Sequence, residues 1–165
     1  MNYLSLNQFL RMKFGRRVQK IPLDAGLSCP NRDPETGKGG CIYCNVRGSG
    51  TGAFSQGKTI REQLVQGMKW ARKRYKAKAF IAYFQSFSNT FAPLKKLEEI
   101  YQEAAGFPEI VGVAIGTRPD CVSREVLELI KTIFPDRLVW MEYGLQSASD
   151  ASLARINRGH SVQDF

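Results

Sequence analysis

From residue 59 onward, apolar positions alternate between two spacings: short, nearly continuous runs, and longer stretches where they recur every three or four residues. That alternation predicts βα units in a parallel sheet. Thr59 and, three residues later, Glu62 form a capping box opening a helix through about Lys76, with Leu64, Met68, Ala71 and Tyr75 on one stripe. AFIAYF (Ala79–Phe84) reads as a buried strand. Pro93 precedes a helix carrying Leu94, Leu97, Ile100 and Tyr101, which Gly106 and Pro108 stop. IVGVAI (110–115) is the next strand, and Ser123 caps a helix whose face is Val126, Leu127, Ile130 and Ile133 before Pro135. LVWMEY (Leu138–Tyr143) is a further strand, Ser149 or Asp150 caps a helix through about Ile156, and Ser161 is expected to open another. A short strand within VQKIPLDAG (18–26) makes four, each followed by a helix.

Four parallel strands do not close a barrel, which ordinarily takes eight. The expected fold is therefore α/β, a partial (β/α) barrel of about four βα units with an open edge near Val139, and the expected reason is truncation of a longer protein. With 165 residues, 43% of them hydrophobic, the chain suffices for one domain, residues 1–165. No apolar run approaches the roughly eighteen residues of a membrane span, and the N-terminus lacks a leader's apolar stretch, so a cytoplasmic protein without membrane contact is expected. Lys and Arg number 24 against 15 Asp and Glu, a formal net charge of +9 that favours polyanions such as RNA. One basic cluster is Lys69, Arg72, Lys73, Arg74, Lys76 and Lys78; a second is Arg11, Lys13, Arg16, Arg17 and Lys20. A solvated helix face is the competing reading of the first.

In βα folds the chemistry sits at the carboxyl ends of strands. There the chain places Cys29, Cys41 and Cys44, then Gln85, Ser88, Asn89 and Thr90, then Thr117, Arg118 and Asp120, then Gln146 and Ser147. CPNRDPETGKGGCIYC, with Gly37, Gly39 and Gly40, is a loop able to wrap a cofactor. Three thiolates suit an iron–sulfur cluster with one iron left open. Zinc is the alternative, with a fourth ligand from Cys121 or His160. Cys121 also reads as a small half-buried residue, and His160, the only histidine, as a surface or helix-entry residue. GSGTG (48–52) lacks the Lys of a phosphate loop and reads as flexible.

CPNRDPETGKGGCIYC, YFQSFSNT, IGTRPDCV, and EYGLQS followed by INRGH together resemble the radical S-adenosylmethionine (SAM) superfamily, across nearly the whole chain. Within it they resemble the YhcC/YtqA group, related to the elongator catalytic subunit and more distantly to oxygen-independent coproporphyrinogen oxidase. The superfamily's common spacing is CxxxCxxC; here eleven residues separate Cys29 from Cys41, as in this subgroup. The resemblance implies a [4Fe–4S] cluster on Cys29, Cys41 and Cys44 and SAM on the open iron, giving a 5′-deoxyadenosyl radical. It implies SAM contacts from Tyr43 near the adenine, Gln85 and Thr117 on the rim, Gln146 at the ribose and Arg158 on the carboxylate side. Where relatives often carry Glu before Thr-Arg-Pro-Asp, this chain has Gly116. Glu142, near the end of the fourth strand, could donate a proton or contact SAM, and equally could pair with Arg118 or Arg158. The resemblance implies tRNA, at a wobble uridine, as substrate and a reduced flavodoxin or ferredoxin-type donor as partner. A zinc-stabilised RNA-binding module without catalysis and an inactive truncated product are the rival readings; no catalytic residue is assigned.

Overall fold

The computed structural model describes residues 3–33, 35 and 39–165; Gly37 of the cysteine loop lies outside them. Its order is α1 (Leu6–Phe14), β1 (Val18–Leu23), α2 (Ile60–Tyr75), β2 (Ala79–Phe84), α3 (Leu94–Ala105), β3 (Ile110–Thr117), α4 (Arg124–Ile133), β4 (Leu138–Tyr143) and α5 (Asp150–Arg155). The four strands form one parallel sheet in the order β1-β2-β3-β4. This is a partial (β/α) barrel, as expected. The helix starts follow from their caps: Ser5, Thr59, Ser123 and Ser149 each accept a hydrogen bond from a backbone N–H of the first turn.

Three features differ from expectation. Helix α1, set by a Ser5–Gln8 capping box and closed by Gly15 at φ 64°, adds an element before β1. Residues 161–165 form a turn rather than a helix: the Ser161 N–H and hydroxyl both donate to Asp164, at 2.6 and 2.8 Å. Glu142 pairs with neither arginine, for a reason that lies in the shape of the sheet.

Strand parity divides the sheet into two faces. Ile21, Leu23, Phe80, Ala82, Phe84, Val113 and Ile115 pack with Leu64, Met68, Leu97, Tyr101, Val126 and Ile130 of the covering helices in the main core. Val18, Ala79, Ile81 and Ala114 point to the other, concave face, where Leu10 of α1 joins them and Phe9 meets Trp140 at 6.0 Å between ring centroids. Burial on both sides is why β2 and β3 read as nearly continuous apolar runs. Above α1 on the concave face, Lys20 Nζ lies 2.5 Å from Glu142 Oε1 and 3.5 Å from the Tyr83 ring centroid. Lys20 and Glu142 stand on the first and fourth strands, about 14 Å apart across a flat sheet at ~4.8 Å per strand, and the register sets Lys20 level with Leu138, so Glu142 is further offset along its strand. Curvature brings them together, across Gly112, Ala114 and Gly116, the small residues that β3 presents on that face. Among the described residues, no helix is long and apolar enough to cross a membrane.

Candidate functional site

At the carboxyl ends of the strands, a cavity of about 320 Å³ is lined by Cys29, Cys41, Cys44, Tyr43, Tyr83, Gln85, Gly116, Thr117, Arg118, Glu142, Gln146 and Arg158, with neighbouring loop residues. All eight residues expected to hold a metal or cofactor lie on its wall.

The cysteine loop reaches this position because it is stapled to the segment after α5. Buried Asn31 donates from Nδ2 to the carbonyls of Asn157 (2.6 Å) and Arg158 (2.7 Å), and its Nδ2 lies 3.4 Å from Cys41 Sγ. In return, Asn157 donates to the Gly40 carbonyl at 2.7 Å, and the Ile42 N–H to the Ile156 carbonyl at 3.1 Å. Gly40, at φ 90°, leaves room for Arg32, whose Nη2 donates to the Cys44 carbonyl at 2.6 Å.

Two buried guanidinium groups face the sulfurs. Arg118 Nη1 lies 3.8 Å from Cys29 Sγ, while its Nε and Nη2 grip Asp120 in a two-point ion pair at 2.8 and 2.5 Å. Arg158 Nη1 lies 3.7 Å from Cys41 Sγ, and its Nη2 donates to the Gly144 carbonyl at 2.8 Å. Arg158 Nε donates to His160 Nε2 at 2.8 Å, which makes that nitrogen an acceptor and puts the imidazole proton on Nδ1, facing the Ser161 carbonyl at 2.9 Å. His160 is therefore a buried residue that orients Arg158, not a surface histidine. With both arginines taken, Glu142 is left to Lys20.

Cys44's thiol is raised above its ordinary value, by burial first, with Arg32 partly opposing. Burial pushes the Tyr43 hydroxyl up to about 12 against the pull of Arg158. Burial alone would raise the Asp120 carboxyl, but the Arg118 guanidinium more than reverses this and holds it below its usual value. A depressed folded-state pKa contributes stability that is complete above the unfolded value, about 4, and disappears as pH falls through the folded value. Asp120→Asn should accordingly unfold at lower urea than the parent at pH 6, and the gap should close as the titration is carried down below about pH 4.

The remaining candidates differ in what they offer. The Gln85 amide donates to the Ser49 carbonyl at 3.2 Å, leaving its own carbonyl oxygen. Thr90 gives its single hydroxyl proton to the Cys121 carbonyl at 2.7 Å, so in the 2.5 Å contact between Thr90 and Thr117 it is Thr117 that donates. The Thr117 hydroxyl then keeps only acceptor capacity. Gln146 holds a left-handed backbone at φ 70°, and Gly144 beneath it has no room for a Cβ, which would stand 2.6 Å from Gln146 Nε2 and 2.9 Å from Arg158 Nη2. The Gly48–Gly52 loop is a packed wall: a Cβ at Gly48 would meet the Phe87 ring at 2.5 Å.

Among the described residues, no three His, Cys, Asp or Glu side chains are gathered closely enough to hold a metal ion. The three thiols line one cavity, two of them facing guanidinium groups. Cys121, whose thiol burial raises to about 12, is not on the cavity wall, and both ring nitrogens of His160 are engaged, so neither stands ready as a fourth ligand. Sequence reasoning alone does not find Asn31, Arg32, Asn157 and Gly159 as structural members of the site. Their signal is present in CPNR and NRGH, one asparagine and one arginine beside each conspicuous residue.

Comparison with known proteins gives one family description, "Radical SAM superfamily", matching residues 33–165. YhcC of Escherichia coli K12 is 44% identical over 153 residues, which cover 92% of this chain and 48% of that protein. YtqA of Bacillus subtilis is 36% identical over 163 residues, covering 99% and 51%, and MJ0486 of Methanocaldococcus jannaschii is 35% identical over 160 residues, covering 95% and 48%. The chain thus spans about half the length of these relatives. Among solved structures, the Elp3 protein of Methanocaldococcus infernus lacking residues 1–46 superposes with a TM-score of 0.54 at 17% identity, over 68% of this chain and 31% of that one. At that identity the likeness speaks for the fold.

Proposed function

Because the chain belongs to the radical SAM superfamily, we propose that Cys29, Cys41 and Cys44 hold a [4Fe–4S] cluster in this cavity and that SAM binds beside it. Together they would supply a carbon-centred radical for hydrogen abstraction from a substrate. The observation that carries this reading is the convergence of three thiols on one cavity, with buried Arg118 and Arg158 against two of the sulfurs at 3.8 and 3.7 Å.

The chain's own residues contribute binding and placement. The guanidinium groups offset negative charge where water is scarce. Bare Gly144 lets the Gln146 and Arg158 side chains lie close over the backbone at the cavity wall, where they could meet SAM, and Gln85 and Thr117 offer acceptor oxygens to its amino group. Tyr43, half exposed on the cavity wall, offers an aromatic face to the adenine. The substrate we propose is a tRNA wobble uridine, supported by the elongator-like motifs and the +9 charge, with a reduced flavodoxin or ferredoxin-type protein supplying the electron.

Anaerobic reconstitution with iron and sulfide tests the cluster. The protein is expected to take up both with the broad visible absorption of an iron–sulfur centre, and Cys41→Ser to lose it. Stoichiometric zinc with no labile sulfide would overturn the reading in favour of a zinc-stabilised module.

A further inference from the structure

At the other end of the sheet, parts of the two basic clusters meet: Arg11, Arg16 and Arg17 of one and Lys76 and Lys78 of the other. The Lys78 N–H donates to the Arg17 carbonyl at 3.1 Å, which sets the segment before β2 beside the segment before β1. Together they form a concavity of about 380 Å³ lined by Arg11, Gly15, Arg16, Arg17, Lys76 and Lys78, without a carboxylate. Arg17 Nε is buried there and has no hydrogen-bond partner. What an anion entering the concavity would meet is a lining of Arg and Lys side chains with no carboxylate among them.

A second feature adjoins it. The Arg17 guanidinium lies 5.6 Å from the Tyr75 ring centroid, and Trp70 meets the same ring edge-on at 5.1 Å. Trp70 is 57% exposed on the last turns of α2, with Lys69, Lys73 and Arg74 around it. Arg72 of the same helix is taken by Glu109 at 2.8 Å and is not part of the surface. A large exposed indole among lysines has no role in the core. Aromatic faces set among cations are the combination that binds nucleic acid, by stacking bases and neutralising phosphates.

We propose that this face binds RNA, the concavity holding backbone phosphates and Trp70 stacking an unpaired base. The proposal rests on the RNA reading above and adds the place of contact. The surface lies one strand length, about 20 Å at ~3.3 Å per residue, from the cysteine cavity. It would hold the polymer while leaving the cavity to the reacting nucleotide.

The test is fluorescence anisotropy with a labelled tRNA transcript across a salt series. Arg16→Glu/Lys78→Glu, both at exposed positions, is expected to weaken binding about tenfold or more and to flatten the slope of log K against log salt by about one for each phosphate no longer neutralised. Trp70→Ala is expected to weaken it about fivefold or more with the slope unchanged. Lys95→Glu/Lys96→Glu, the same charge change on α3 near the cavity end, should have a smaller effect. If the parent binds and the first two variants bind equally well, or the α3 variant is equally impaired, this surface is wrong while the RNA reading stands. If the parent binds no RNA at any salt, the RNA reading falls with it. Unchanged circular dichroism of each variant excludes misfolding as the cause.

Discussion

Gly159→Ala is expected to cost about 3–5 kcal/mol, the sum of a left-handed non-glycine backbone and the loss of two buried hydrogen bonds. Gly159 holds φ 81°, and a Cβ built on it would stand 2.1 Å from Asn31 Oδ1. The asparagine has nowhere to retreat, because its Nδ2 is fixed by the Asn157 and Arg158 carbonyls. Pushing it aside leaves those carbonyls without a donor and frees the cysteine loop from the segment that carries Arg158. Urea unfolding measures the loss, and iron uptake after reconstitution should fall with it. Gly15→Ala is the control: φ is 64° there, but nothing lies within 4 Å of the added methyl, so only the backbone strain of about 1 kcal/mol applies. Equal losses at the two positions would show that the staple carries no energy of its own.

The contrast between these glycines shows what could be read in the sequence. Capping at Thr59 and Ser123, the apolar runs of β2 to β4 and the gathering of cysteines, Gln85, Gln146 and Arg158 on one rim all follow from short-range pattern and strand direction. Helix α1 carries the same kind of signal, a Ser5–Gln8 box and Gly15, but it buries only Leu10 fully and otherwise reads as a polar, basic leader to β1. The staple joins Asn31 to residues 126 and 127 positions away, and no local period encodes such a contact. Glu142 shows the limit most clearly. Parity puts it on the concave face, yet which cation meets it depends on how far the sheet curves, and that depends on the small residues β3 presents there. The Arg118 and Arg158 guanidiniums are its nearer neighbours along the rim in sequence terms, but each is committed elsewhere, to Asp120 and to the Gly144 carbonyl with His160.

Tyr101→Ala is expected to destabilise the protein by about 3–5 kcal/mol, the range for removing a fully buried aromatic ring. Tyr101 on α3 is wholly buried, edge-on to Phe84 at 5.4 Å and tilted against Phe134 at 6.4 Å, so its ring joins β2 to the residue that caps the end of α4. Its hydroxyl donates to the Asn89 carbonyl, and Asn89 in turn donates from its N–H and Nδ2 to the Gly116 carbonyl at 3.1 and 2.9 Å. A core side chain thereby fixes the loop after β2 to the end of β3, where that loop and Gly116 both border the cysteine cavity. Tyr101→Phe separates the two roles: the ring stays, and the Asn89 carbonyl loses its buried donor at a cost of about 1–2 kcal/mol. If the loop is held through that hydroxyl, Tyr101→Phe should show faster amide exchange at residues 86–90 while the amides of β2 and β3 keep their protection. Uniform acceleration across the sheet would mean that the hydroxyl serves global stability alone and does not position the site.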